Sequence, residues 1–127
     1  MKKHYAHNEG AVGLVQSVGG VINYSDSEVV IGTLPAGCVI LDTVVEVVTP
    51  FNAATTNVLT VGTNTPADNL MAADDITEGS TGFNKKATPS MQRTAAETTV
   101  KAKYAQTGTA ATTGKANVLV FFTRIAE

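Results

Sequence analysis

The chain has 127 residues, the length of one domain, since domains commonly hold roughly 100–200 residues. Its formal net charge of −2, with 16% charged residues, leaves no basic footprint and argues against nucleic acid as a partner. One cysteine excludes an intrachain disulfide and a cysteine-rich metal site, and the dominance of Thr, Ala, Val and Gly without any Trp points to an all-β protein.

Residues 1–10, "MKKHYAHNEG", read as a flexible N-terminal arm ahead of a single β-sandwich domain, residues 11–127. Lys2 and Lys3 are followed by polar, Gly-broken sequence, so neither a signal peptide nor a membrane-spanning helix is predicted, and the chain is expected to be made in a cytosol. "GAVGLVQS" and "GGVINYS" read as short strands, with Gly19–Gly20 as a turn signal between them. Ser25–Asp26–Ser27 is a second turn, "SEVVIGTL" a strand, and Pro35–Ala36–Gly37 a third turn.

"LPAGCVILDTVVEVVTPFN" carries the longest strand. Alternation places Val39, Leu41, Thr43, Val45 and Val47 on an unbroken apolar row, with Asp42 and Glu46 on the opposite face. So many β-branched residues disfavour a helix, the span is too short and too charged for a bilayer, and Pro50 stops the ladder. "TNVLTVGT" follows as a shorter strand after the Asn52–Ala53 turn, and Asn64–Thr65–Pro66 turns again.

From Pro66 to Gln92 the pattern is irregular and holds one short strand or a turn of helix among loops. "ETTVKAKYAQ" then alternates cleanly: Thr98, Val100, Ala102 and Tyr104 face one way, Thr99, Lys101 and Lys103 the other. "KANVLVFFTRI" is apolar on both faces from Val118 to Phe122, as expected of a strand covered on two sides, centrally or at a subunit contact. The small-residue loop "TGTAATTG" between these two predicts an extended hairpin tip. Strands at this spacing predict a β-sandwich, with a jelly roll the preferred form.

Little in the chain suits catalysis. Cys38, inside an apolar run, reads as a small buried hydrophobe. His4 and His7 form H-x-x-H in the polar arm, short of the three or four ligands a metal needs. Asp68, Asn69, Asp74, Asp75 and Glu78 supply oxygens suited to calcium but lack the EF-hand spacing, so solvated loop carboxylates are the simpler reading. Asp42 and Glu46 lie on the order of 13 Å apart along a strand, too far for an acid pair. No phosphate-binding glycine loop occurs, since "VGTNTPAD" lacks the lysine and the helix. The expectation is a non-enzyme with no metal or cofactor.

Surface is what remains. Lys2, Lys3, His4 and Tyr5 on the arm, with Phe51, Phe83 and Met91 in turn-like contexts, are the candidate contacts to other subunits. For Phe51 and Phe83 the preferred reading is that they plug the open ends of the sandwich, and packing against a neighbouring subunit is the sharper one.

The succession "IGTLPAGCVILDTVVEVVTPFN", "LTVGTNTPADNLMAADDITEGSTG" and "VKAKYAQTGTAATTGKANVLVFFTRI" resembles small structural proteins of tailed bacteriophages over roughly residues 28 to 125. In that family a Pro-containing turn precedes a Val-rich strand, then come a "LTVGT"-type strand, an Asp-rich loop and a Gly/Thr-tipped hairpin. The resemblance implies a capsid decoration, or cement, protein of jelly-roll fold. Such a protein sits on the capsid exterior, commonly as a homotrimer, and staples major capsid protein subunits. It would be assembled in the host bacterial cytoplasm, with no membrane partner. The rivals are a head-fibre or tail adhesin module that binds a host glycan, and a head–tail or tail component.

Overall fold

The structure, a computed structural model, describes residues 13–125. Eight strands appear in chain order: β1 (Val15–Asn23), β2 (Glu28–Leu34), β3 (Cys38–Thr49), β4 (Thr56–Gly62), β5 (Gly82–Lys85), β6 (Gln92–Arg93), β7 (Thr98–Thr107) and β8 (Lys115–Arg124). One turn of 3-10 helix, Ala73–Asp75, is the only helical element among the described residues. The larger sheet runs β1-β8-β3-β5, with β6 also on β3, and the smaller runs β2-β7-β4. Every pairing is antiparallel. The fold is the β-sandwich that the alternation predicts.

The core lies between the inner faces. Ile22, Ile40, Val45, Val47, Val118 and Val120 come from the larger sheet, and Leu34, Leu59, Val61, Val100, Ala102 and Tyr104 from the smaller. Burying an aliphatic side chain of this size contributes about 1.5–3 kcal/mol, so these two rows set the strand registers. In β7 the inner row is Val100, Ala102 and Tyr104, as alternation predicts.

Three expectations need correction. In β3 the unbroken odd row does not hold: Cys38 and Ile40 point inward, then Thr43, Val45 and Val47 do. The register against β8 shifts between Ile40 and Asp42, so Leu41 is an extra residue, and one extra residue exchanges the two faces. Gly19–Gly20 is not a turn but the middle of β1. A Cβ on Gly19 would lie 2.8 Å from Leu119 Cδ2, the movable end of a side chain, and one on Gly20 3.2 Å from Ile31 Cδ1, so both glycines lie under close neighbours within the strand.

The third correction concerns β7 and β8. They form no hairpin, because β7 pairs with β2 and β4 while β8 pairs with β1 and β3. The loop between them crosses from one sheet to the other. Asn52 holds it there: its Oδ1 accepts the N–H groups of Thr112 (2.8 Å) and Thr113 (3.0 Å). Thr113 Oγ1 donates to Pro50 O at 2.9 Å. Strand β8 sits centrally in its sheet, between β1 and β3.

The irregular segment is structural. Ala67, Leu70, Met71 and Ile76 are buried, and Met71 exchanges backbone hydrogen bonds with Val61, covering the edge of β4 that β7 leaves open. A covered edge is closed to strand-to-strand aggregation.

Candidate interaction surface

The two outer faces of the sandwich differ in character. On the smaller sheet the outward residues of β7 are Thr99, Lys101, Lys103 and Ala105, beside Glu28, Val30, Val58 and Thr60 on the flanking strands. The two lysines and Glu28 keep the middle of that face wet, although Val30 is 61% exposed. The larger sheet presents four cross-strand rows. The first is Val21, Asn117, Glu46 and Phe83; the second Gly19, Leu119, Val44 and Lys85. The third is Ser17, Phe121 and Asp42; the fourth Val15, Thr123, Val39 and Arg93.

Seven of these fifteen residues are apolar, Val15, Val21, Val39, Val44, Leu119, Phe121 and Phe83, set among the charged Lys85, Asp42, Glu46 and Arg93. Val15 is 58% exposed, Val21 and Leu119 39% each, and Phe83 76%. Large apolar side chains exposed together on one sheet face make that face the candidate interaction surface. Between the first two rows lies a shallow groove of about 270 Å³, lined by Gly19, Val21, Val44, Glu46, Phe83 and Leu119. The absence of a side chain at Gly19 lets Leu119 lean across β1 and leaves the groove its floor.

Two polar features punctuate the face. Lys85 Nζ lies 2.9 Å from Asp42 Oδ2, an exposed pair worth at most about 1 kcal/mol. Glu46 Oε1 accepts Asn117 Nδ2 at 3.2 Å, and among the described residues no cation stands within ion-pair distance of Glu46. Asp42 and Glu46 thus have separate partners and do not act together.

The sequence candidates divide. Phe83, on β5, and Met91, just before β6, are exposed at 76% and 61%; both β5 and β6 pair with β3. Phe51 is 2% exposed, with its ring centroid 4.7 Å from that of Tyr104, so it plugs an end of the sandwich and is no surface anchor. Lys2, Lys3, His4 and Tyr5, with the rest of the 1–10 arm, lie outside the described residues. Val15, Val21, Val44, Leu119 and Phe121 were not singled out in the sequence. The signal for them was the two-faced apolar run of β8.

Of the loop carboxylates, Asp68, Asp75 and Glu78 each have their own partner. Asp75 Oδ2 accepts the Ala72 N–H at 2.7 Å, and Asp68 Oδ1 accepts Asn64 Nδ2 at 2.8 Å. Glu78 is buried, and its Oε2 accepts the Leu59 N–H at 2.8 Å. Burial pushes the Glu78 carboxyl above the ordinary range, against the lowering effect of that backbone bond. Burial also raises the Tyr104 hydroxyl, with the Glu78 charge adding to it. Among the described residues no three His, Cys, Asp or Glu side chains converge as a metal site would require. Cys38 is fully buried, its N–H donating to Thr94 Oγ1 at 2.9 Å. No described helix is long and apolar enough to cross a membrane.

No protein-family model matches the chain, and no curated protein sequence does. Solved structures do. A chain of the cyanophage Pam1 capsid asymmetric unit is similar with a TM-score of 0.66 and 20% identity, over 97% of this chain and 94% of that one. A chain of the acidic stable capsid of Helicobacter pylori bacteriophage KHP30 gives 0.70 and 14%, over 91% and 92%. A chain of the Ralstonia phage GP4 capsid gives 0.65 and 19%, over 99% and 93%. The whole fold is shared with each of them.

Proposed function

We propose that the chain is a non-enzymatic structural protein of a tailed-phage virion, a decoration protein that binds the capsid exterior and stabilises contacts between major capsid protein subunits. The observation that carries this is the set of exposed apolar side chains, Val15, Val21, Leu119 and Phe83, on the outer face of the larger sheet, in a fold shared over at least 91% of this chain with chains of three phage capsids. A staple needs a rigid frame and a dry contact face, and no reaction centre. The strand order supports the jelly-roll form. Consecutive strands from β1 to β4 alternate between sheets, and the Met71 bridge stands where a further strand beside β4 would lie.

In this reading the protein works as a homotrimer, with Phe83 and Met91 among its subunit or capsid contacts and the arm Lys2, Lys3, His4 and Tyr5 reaching a neighbour. The test is co-sedimentation with shells assembled from the major capsid protein of the same genome. Saturable binding at a fixed ratio to the shell is expected. Binding to purified tails and not to shells sinks the capsid assignment in favour of a tail component, and a selective hit on a glycan array favours an adhesin.

A further inference from the structure

We infer that the groove on the larger sheet receives residues 1–12 of a neighbouring copy of this chain. The inference rests on the reading of the protein as an assembled subunit. It stands on where the chain leaves the fold, how far it reaches, and what its side chains match.

The Gly13 N–H donates to Arg124 O at 3.0 Å, so the chain is still held beside β8 where it leaves the sheet, at the Val15–Thr123 row. The groove is at the other end of the same face, at Gly19 and Val21. Six to eight residues of strand separate the two, about 20–27 Å at strand rise. To reach its own groove the segment must reverse completely, whereas a neighbour's groove needs only that it carry on. Twelve residues precede Gly13, and fully extended they span up to about 40 Å. A domain of this size has a radius of gyration of about 14 Å, so the segment outreaches its own sandwich.

The chemistry is complementary. "MKKHYAHNEGAV" carries Lys2 and Lys3 against a single carboxylate, Glu9. The groove carries Glu46, with no cation near it among the described residues, while the neighbouring Lys85 is occupied by Asp42. Tyr5 offers one large amphipathic ring, of the kind enriched at interfaces, and the floor at Gly19, Val21 and Leu119 is open and apolar.

The test is disulfide trapping in the full-length chain, whose own Cys38 is buried out of reach. Ala6→Cys is paired with Val21→Cys, which replaces one apolar lining residue by a small thiol and leaves Lys2, Lys3, Tyr5 and Glu46 untouched. The control pairs Ala6→Cys with Thr99→Cys on the smaller sheet's outer face. After oxidation, covalent dimers and longer chains on a non-reducing gel are expected for the groove pair and not for the control. A cross-linked monomer, no cross-link, or equal cross-linking of the control overturns the inference. In a second, independent measurement, Glu46→Lys lowers the oligomer fraction several-fold by light scattering, and Lys2→Glu with Lys3→Glu restores it. Failure of that rescue also counts against the groove. Shell binding is scored separately: cross-linking without shell binding leaves the arm exchange standing and removes the decoration reading, and the reverse result removes only the exchange.

Discussion

Glu78 Oε2 accepts the backbone N–H of Leu59 at 2.8 Å, so a buried carboxylate from the irregular segment does for the edge of β4 what a neighbouring strand would do. Burial raises the Glu78 carboxyl, so the folded protein holds that proton more tightly than the unfolded chain does. The contribution of this group to stability is therefore fully present below the ordinary carboxylate range, and is lost as pH rises through the raised value. Glu78→Gln keeps an acceptor for Leu59 and removes the titration. Urea midpoints between about pH 4 and 8 should show wild type losing stability relative to the Gln variant as pH rises. Glu78→Ala leaves the Leu59 N–H unpaired and should cost about 1–3 kcal/mol.

The two phenylalanines should part company under mutation. Phe51→Ala opens a cavity against Tyr104 and should lower unfolding free energy by about 3–5 kcal/mol. Phe83→Ala, on the surface, should change stability by less than about 0.5 kcal/mol while weakening self-association or shell binding. Denaturant titration beside co-sedimentation separates them. A stability loss at Phe83 as large as at Phe51 contradicts the surface assignment.

Glycines on the two sheets should also differ. A Cβ on Gly32 would lie 2.7 Å from Val18 Cβ, an atom fixed close to the backbone of β1. Gly32→Ala therefore forces the two strands apart, at about 1–3 kcal/mol. At Gly19 the obstacle is the far end of Leu119, which can swing away. Gly19→Ala should cost little stability and partly fill the groove, so its effect should appear in oligomer dissociation.

Light scattering after size exclusion, over a range of concentrations, tests the assembly. Three times the 13.1 kDa chain is the expected mass. A strict monomer at all concentrations removes the preformed trimer.

How much of this the sequence showed depends on how local the cause was. The face of β7 was legible because Val100, Ala102 and Tyr104 alternate with two lysines inside one strand. The parity exchange at Leu41 was not, because a bulge is defined by a partner strand, and an apolar residue there fits either face. The loop after β7 has the small-residue composition of a hairpin and of a crossing alike. What decides is the reach of Asn52 to Thr112 and Thr113, sixty and sixty-one residues away. The interaction face was half visible. The two-sided run of β8 announced a second apolar surface, but Gly19 and Val21 join it only through pairing with Leu119 and Asn117. Phe83 stood out as an aromatic in a turn-like context, a signal Phe51 shares, and only burial tells them apart.

None of the eight strands pairs with the strand next to it in sequence. Among the described strands no hairpin is available to nucleate on, the Val61–Met71 bridge apart, and each ladder requires closing a long loop first, the arrangement that places folding on the millisecond-to-second scale. The larger sheet is the extreme case, because β8, the last strand described, lies between β1 and β3, and their ladders run through it. On a ribosome, β1 and β3 wait unpaired with each other until β8 has emerged. The larger sheet is then built by closure once β8 is available, and a loss of β8 removes the middle of the sheet instead of trimming an edge.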